Sequence, residues 1–167
     1  MKKVIVLLLL LIVSVTTQAM AVEHRLGVGG NYWVTIDDID LENEDVDESG
    51  FSLGATYQYW LGLFALEVDL EFLPDRFDDN SISPQVYVLA GSGVYVGLGA
   101  GIIYSQGDFE DEPFYALRAG VNLELLPGIY ADIYANYRFN DRADIDNEES
   151  DIDTDTIFLG AAIRFVL

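Results

Sequence analysis

The chain has no cysteine and one histidine. Without cysteine there is no disulfide framework, no thiolate nucleophile and no sulfur-based metal site. The one imidazole, His24, stands near the start of the sequence, and no G-x-S-x-G turn accompanies it. Serine–histidine hydrolysis therefore has neither its elbow nor a placed base. Basic residues are also scarce, with eight lysines and arginines against 29 acids and a net charge of −21. A nucleic-acid backbone would be repelled. Beyond residue 15 no apolar run reaches the 18 residues a membrane-crossing helix needs. Yet 51% of the chain is hydrophobic and 13% aromatic.

The first residues read as an export signal. Lys2 and Lys3 precede twelve residues, VIVLLLLLIVSV, too few to span a bilayer comfortably. Ala19-Met20-Ala21 is an A-x-A cleavage site. The expected division is a cleaved signal peptide over 1–21 and one domain over 22–167.

The negative charge is not spread evenly. Stretches 37–49, 74–81, 106–112 and 140–155 hold 23 of the 29 acids, opposed only by Arg76 and Arg142. Between them one theme repeats. In FALEVDLEF, residues 64–72, the five large apolar residues occupy every second position and Glu67, Asp69 and Glu71 lie between them. A helix would scatter these residues. A strand sorts them onto two faces. The same alternation runs through 25–36, 50–59, 82–90, 94–105, 114–125, 129–139 and 156–167. Pro84 predicts a strand end in the fourth of the eight segments.

Eight strands of about ten residues match the length a tilted strand needs to cross a bilayer. Their connections alternate between short ones (60–62, 91–93, 126–128) and the four acidic stretches. Every acidic stretch then falls at one end of the sheet, and both termini at the other. An even strand count lets the sheet close and removes its edges. With its signal peptide, eight alternating segments, turn-and-loop rhythm and the ending FLGAAIRFVL, the chain resembles the small eight-stranded outer-membrane barrels of the OmpA and OmpX kind. The resemblance covers residues 22–167. It implies an all-β, antiparallel, up-and-down transmembrane barrel in the bacterial outer membrane. Its four acidic loops would be extracellular and its three short turns and both termini periplasmic. It also implies recognition of the last strand by the barrel assembly machinery. Leu159, Ala161, Ile163 and Phe165 keep that signal's spacing, but Leu167 stands where such barrels carry an aromatic. A water-soluble lipocalin-like barrel is the competing fold, and it would expose Glu67, Asp69 and Glu71 to water.

In the transmembrane reading the apolar faces meet lipid, and Phe51, Phe72, Tyr104, Tyr115, Tyr137 and Phe139 form an outer aromatic girdle. The inward charges are Arg25, Arg118, Arg138 and Arg164 against Glu67, Asp69, Glu71, Glu124 and Asp132. Arg25, Arg164, Glu124 and Asp132 fall near the turn end, the others higher. Eight strands enclose only enough room for side chains, and buried charges persist when paired. The expectation is a lumen charge network that fills the barrel. The alternative is a small cation-preferring channel lined by the acids. The inward glycines of GLGAG, 97–101, make room for larger side chains opposite and form no phosphate loop.

The acidic loops offer weak sites for divalent cations. Asp38, Asp40, Glu42 and Glu44 alternate, and Asp151, Asp153 and Asp155 open like a calcium loop. No glycine takes its sixth position, and Ala162 stands at the twelfth where glutamate belongs. The loops also suit contact with a basic partner. The sequence thus reads as a monomeric, non-enzymatic structural or surface-interaction barrel. Its expected partners are outer-membrane lipid and lipopolysaccharide. No cofactor is expected beyond loosely bound Ca²⁺ or Mg²⁺.

Overall fold

The structure, a computed structural model, describes residues 22–36, 49–76, 79–105, 107–110, 112–143 and 152–167. The signal segment 1–21, and with it the proposed cleavage site, lies outside the described residues, as do Asp38, Asp40, Glu42, Glu44 and Asp151.

The strands are β1 (Val22–Thr35), β2 (Ser49–Leu61), β3 (Phe64–Arg76), β4 (Asp79–Gly91), β5 (Val94–Gly101), β6 (Tyr104–Ser105), β7 (Asp108–Phe109), β8 (Phe114–Leu126), β9 (Ile129–Ala143) and β10 (Ile152–Val166). Around the barrel the order is β3-β2-β1-β10-β9-β8-β5-β4, and β4 pairs with β3 to close it. All these pairings are antiparallel. Eight strands thus form the wall, with β6 and β7 as a small appended hairpin. Gly62 and Gly128 take positive φ (63° and 79°) in the two tight turns, a conformation that costs a side-chain-bearing residue energy.

Alternation is the physical cause of the fold. In β3 the outward Phe64, Leu66, Val68, Leu70 and Phe72 are exposed, while Ala65, Glu67, Asp69, Glu71 and Leu73 are buried. A water-soluble barrel would show the reverse, so the lipocalin-like alternative fails. Large inward side chains are seated against small ones. A Cβ on Gly99 would overlap the Tyr87 ring, and one on Gly160 the Tyr134 ring. That interleaving lets a narrow barrel fill its centre.

The strands run further than alternation alone suggested. Residues 74–76, 79–81, 140–143 and 152–155 belong to strands, not to connections. β9 and β10 pair as far as Ala143 opposite Ile152. Among the described residues, β8 accompanies β9 as far as Tyr115 opposite Phe139, and β1 accompanies β10 as far as Thr35 opposite Thr156. Among them the β9–β10 pairing continues about four residues further, roughly 13 Å at strand rise. In these stretches cross-strand pairing overrides the low strand propensity of Asp and Asn.

Pro84 does not end its strand. It lies within β4, opposite Leu70 of β3. On the other side its carbonyl accepts from Ile102 N at 3.2 Å. The reciprocal bond cannot form, because proline has no N–H. The expected strand 94–105 is accordingly interrupted at Ile102–Ile103 and resumes as β6.

Candidate functional site

The inward faces meet in a charge network along the barrel axis. β3 supplies Glu67, Asp69 and Glu71 at every second position, and the facing walls supply the arginines. Arg118 on β8 pairs through Nη1 with Glu67 and through Nη2 with Asp69 Oδ2 at 2.9 Å. Its Nε donates to Asn136 Oδ1 at 2.8 Å. The same guanidinium lies 3.7 Å from the Tyr87 ring centre and 4.6 Å from that of Tyr134. Such stacking suits a planar, weakly hydrated cation.

Arg164 on β10 continues the chain. Its Nη2 lies 3.1 Å from Glu67 Oε2 and 2.8 Å from Asp132 Oδ2, and its Nε donates to Asp132 at 2.9 Å. Arg138 on β9 pairs with Glu71 and lies 3.6 Å from the Phe158 ring centre. Neutral side chains complete the shell. Asn31 Nδ2 and Ser52 Oγ donate to Glu71 Oε1 at 2.6 and 2.5 Å. Gln85 Nε2 donates to Glu71 Oε2 at 2.8 Å, and Gln58 donates to Glu67. Tyr95 OH donates to both oxygens of Asp132, at 2.9 and 3.1 Å. All seven charged residues are almost wholly buried. At the centre, a cavity of about 10 Å³ is lined by Asn31, Thr56, Asp69, Glu71, Arg118 and Arg138, among others. That is space for roughly one water.

Of the nine charged residues the sequence directed inward, seven come together. Arg25 and Glu124 stand apart. Although Arg25 is only two residues from Gly27, which faces Arg164 across the β1–β10 seam, the two arginines point to different places. Arg25 is mostly buried near the turn end, its side chain 11% exposed, paired with Glu23 and 3.6 Å from the Tyr130 ring centre. Glu124 is exposed and accepts from Gly128 N at 3.2 Å in the β8–β9 turn. At that end the barrel opens to solvent, which competes for charged side chains.

Asn31, Ser52, Thr56, Gln58, Gln85 and Tyr95 are members that charge counting missed. Their signal was positional: each occupies an inward register position beside a charge. His24 Nδ1 lies 2.6 Å from Tyr57 OH at the turn end, away from the network. Among the loop acids, Asp155 accepts from Tyr137 OH at 2.6 Å, and Asp153 pairs in register with Arg142. Among the described residues, no group of three acids or histidines converges as a metal site would require.

Residues 5–165 match the family described as outer membrane protein beta-barrel domain. The chain belongs to that family. Its membership places the barrel in the bacterial outer membrane. Three solved structures share the fold of this outer-membrane barrel. Neisserial surface protein A is 15% identical, with a TM-score of 0.55 over 89% of this chain and 99% of that one. AlkL in lipid bilayers is 11% identical, with a TM-score of 0.51 over 91% and 93%. The N-terminal barrel of Pseudomonas aeruginosa OprF is 11% identical, with a TM-score of 0.50 over 88% and 100%. At these identities the likeness concerns the fold alone. No curated protein matches the sequence.

Proposed function

We propose that this outer-membrane barrel is a non-catalytic, monomeric surface-interaction protein whose lumen is sealed by its charge network. Its acidic connections face the exterior and its short turns and ends face the periplasm. The observation that carries the reading is that all seven network charges are buried and ion-paired across the lumen, from β3 to β8, β9 and β10. A sealed wall leaves the outer rim as the working surface. There the β9–β10 ribbon would stand above the bilayer, and the acidic stretches 37–49 and 140–155 connect strands at that end of the sheet.

An anionic rim suits loosely held divalent cations, among them those that bridge lipopolysaccharide, and basic segments of partner molecules. The raised ribbon offers backbone edges for an added strand. Short turns on the periplasmic side and long connections outside are the usual disposition of such barrels. The last strand would be read by the barrel assembly machinery through Leu159, Ala161, Ile163 and Phe165, all directed to lipid.

The test is single-channel conductance of the refolded mature chain in a planar bilayer, with and without calcium. Folding is confirmed first by its heat-dependent gel shift. Absence of steps is the expected result. Steady cation-selective steps would overturn the sealed lumen in favour of a small acid-lined channel.

A further inference from the structure

The lipid-facing wall is not evenly thick. Its outward side chains lie in rows that follow the strand register around the barrel. One row runs through Phe64, Ala90, Val96, Ala119, Ala135 and Leu159, from β3 by way of β4, β5, β8 and β9 to β10. Alanine fills half of it. The row on one side carries Leu98, Leu117, Tyr137 and Ile157, and the row on the other Val121 and Ile133. A line of small side chains between two lines of large ones is a furrow. It encloses about 660 Å³, and Phe64, Ala90, Ala119, Ala135 and Ile157 are among its lining residues. The outward side chains of that lining are apolar apart from the Tyr137 hydroxyl, which is engaged with Asp155 at 2.6 Å.

The furrow slopes. Phe64 opens β3 at the turn end, whereas Ala135 and Leu159 lie mid-strand in β9 and β10. From β3 to β10 along this row are five strand steps, about 24 Å at the usual spacing between strands. On strands tilted by ~35–45° such a row climbs roughly 14–17 Å. That is about half of the ~30 Å hydrocarbon core. The furrow therefore covers the height of one leaflet and starts at the interface beside the short turns.

We propose that this furrow seats one acyl chain of a phospholipid from the periplasmic leaflet. The proposal rests on the orientation given above, with the short turns in the periplasm. In hydrocarbon, a void over the alanines would deprive their methyls of contacts on one side. Water finds no polar partners there. The volume lies within the ~300–1,000 Å³ of pockets that hold small ligands. A chain anchored in the outer leaflet would have to cross the midplane to reach Ala90. A second barrel is convex, so it would rest on the ridges and leave the floor unfilled.

The barrel is purified from outer membranes in a mild detergent, and native mass spectrometry reads the lipid that stays bound. Wild type should keep one phospholipid through repeated detergent exchange. Ala119→Leu combined with Ala135→Leu raises the floor to the level of the ridges, and should lower that occupancy at least tenfold. Leucine suits a lipid-facing position, and the heat-dependent gel shift confirms that the double variant folds. Ala131→Leu makes the same change outside the furrow and should keep the lipid. A wild type that retains no lipid, or equal retention by the double variant, overturns the site. Retained lipid A, or a second copy of the chain in place of lipid, overturns the occupant. Orientation is read separately. The chain has no cysteine, so Ser150→Cys supplies a single thiol, which should react with a membrane-impermeant maleimide on intact cells. A thiol that reacts only after the cells are opened defeats the orientation, and the leaflet assignment with it. A reactive thiol on a barrel that keeps no lipid defeats only the furrow.

Discussion

Replacing Arg118 by alanine removes the member on which most of the network depends. Glu67 would retain Arg164 at 3.1 Å and its bond from Gln58. Asp69 would lose the only partner of Oδ2, and its Oδ1 has none. Asn136 Oδ1 would lose its donor, and the Tyr87 and Tyr134 rings the cation between them. Breaking a buried pair by removing one partner costs about 3–5 kcal/mol, because the remaining charge stays buried. The stacking losses add to that, so Arg118→Ala belongs at the upper end of the range. Arg25→Ala is the control. Arg25 is also ion-paired and stacked on Tyr130, but its partner Glu23 is 29% exposed, so its loss strands no fully buried charge and should cost less than that of Arg118. Urea unfolding of the refolded barrel, followed by the fluorescence of the buried Trp33 and Trp60, reads both. If Arg118→Ala costs less than about 1 kcal/mol, or no more than Arg25→Ala, the network does not stabilise the barrel and the reasoning fails. Combining Arg118→Met with Glu67→Gln and Asp69→Asn should recover part of the loss, since it removes the stranded charges along with their partner.

Three further outcomes follow from the wall and its rim. Gly99→Leu forces a side chain into the Tyr87 ring and should cost about 1–3 kcal/mol in the same urea assay; an unchanged midpoint would mean that the lumen has slack. Pro84→Ile restores the missing N–H opposite Ile102 and should contribute about 0.5–1.5 kcal/mol. Hydrogen exchange should then slow across residues 102–105, and unchanged protection there would show that something other than proline interrupts the ladder. Titration with calcium should give heat only at millimolar concentration, from several weak sites; a silent calorimeter removes divalent binding from the loops.

The period-two pattern made the strand count and both faces legible, because side-chain direction in a strand depends only on parity. The pattern could not show where pairing stops. Residues 140–143 and 152–155 are mostly polar, with only Ala143 and Ile152 apolar, so no apolar alternation marks them, and it is their pairing with one another that shows them extended. Parity likewise sent seven network charges inward but could not pair them. Arg164 reaching Glu67 depends on barrel diameter and side-chain length, and neither is written in local spacing. Arg25 and Glu124 shared that parity but lie where the wall ends, and parity carries no depth. Pro84 was misplaced for a related reason. A proline is tolerated inside a strand wherever one missing donor can be borne, and that depends on the neighbouring strand.

All three central arginines reach the same strand. Arg118, Arg138 and Arg164 project from β8, β9 and β10 and end on Glu67, Asp69 and Glu71 of β3, four places around the ring from β9. The hydrogen-bonded wall is a hoop, strong along its circumference but free to flatten into an ellipse. The arginines are spokes across its diameter. Flattening in one direction would compress the guanidinium contacts, and in the other would pull them apart. A bilayer squeezes its guests unevenly as its thickness and composition change. The three ion-paired spokes resist both distortions, and the β9–β10 ribbon continues two of the strands that carry them.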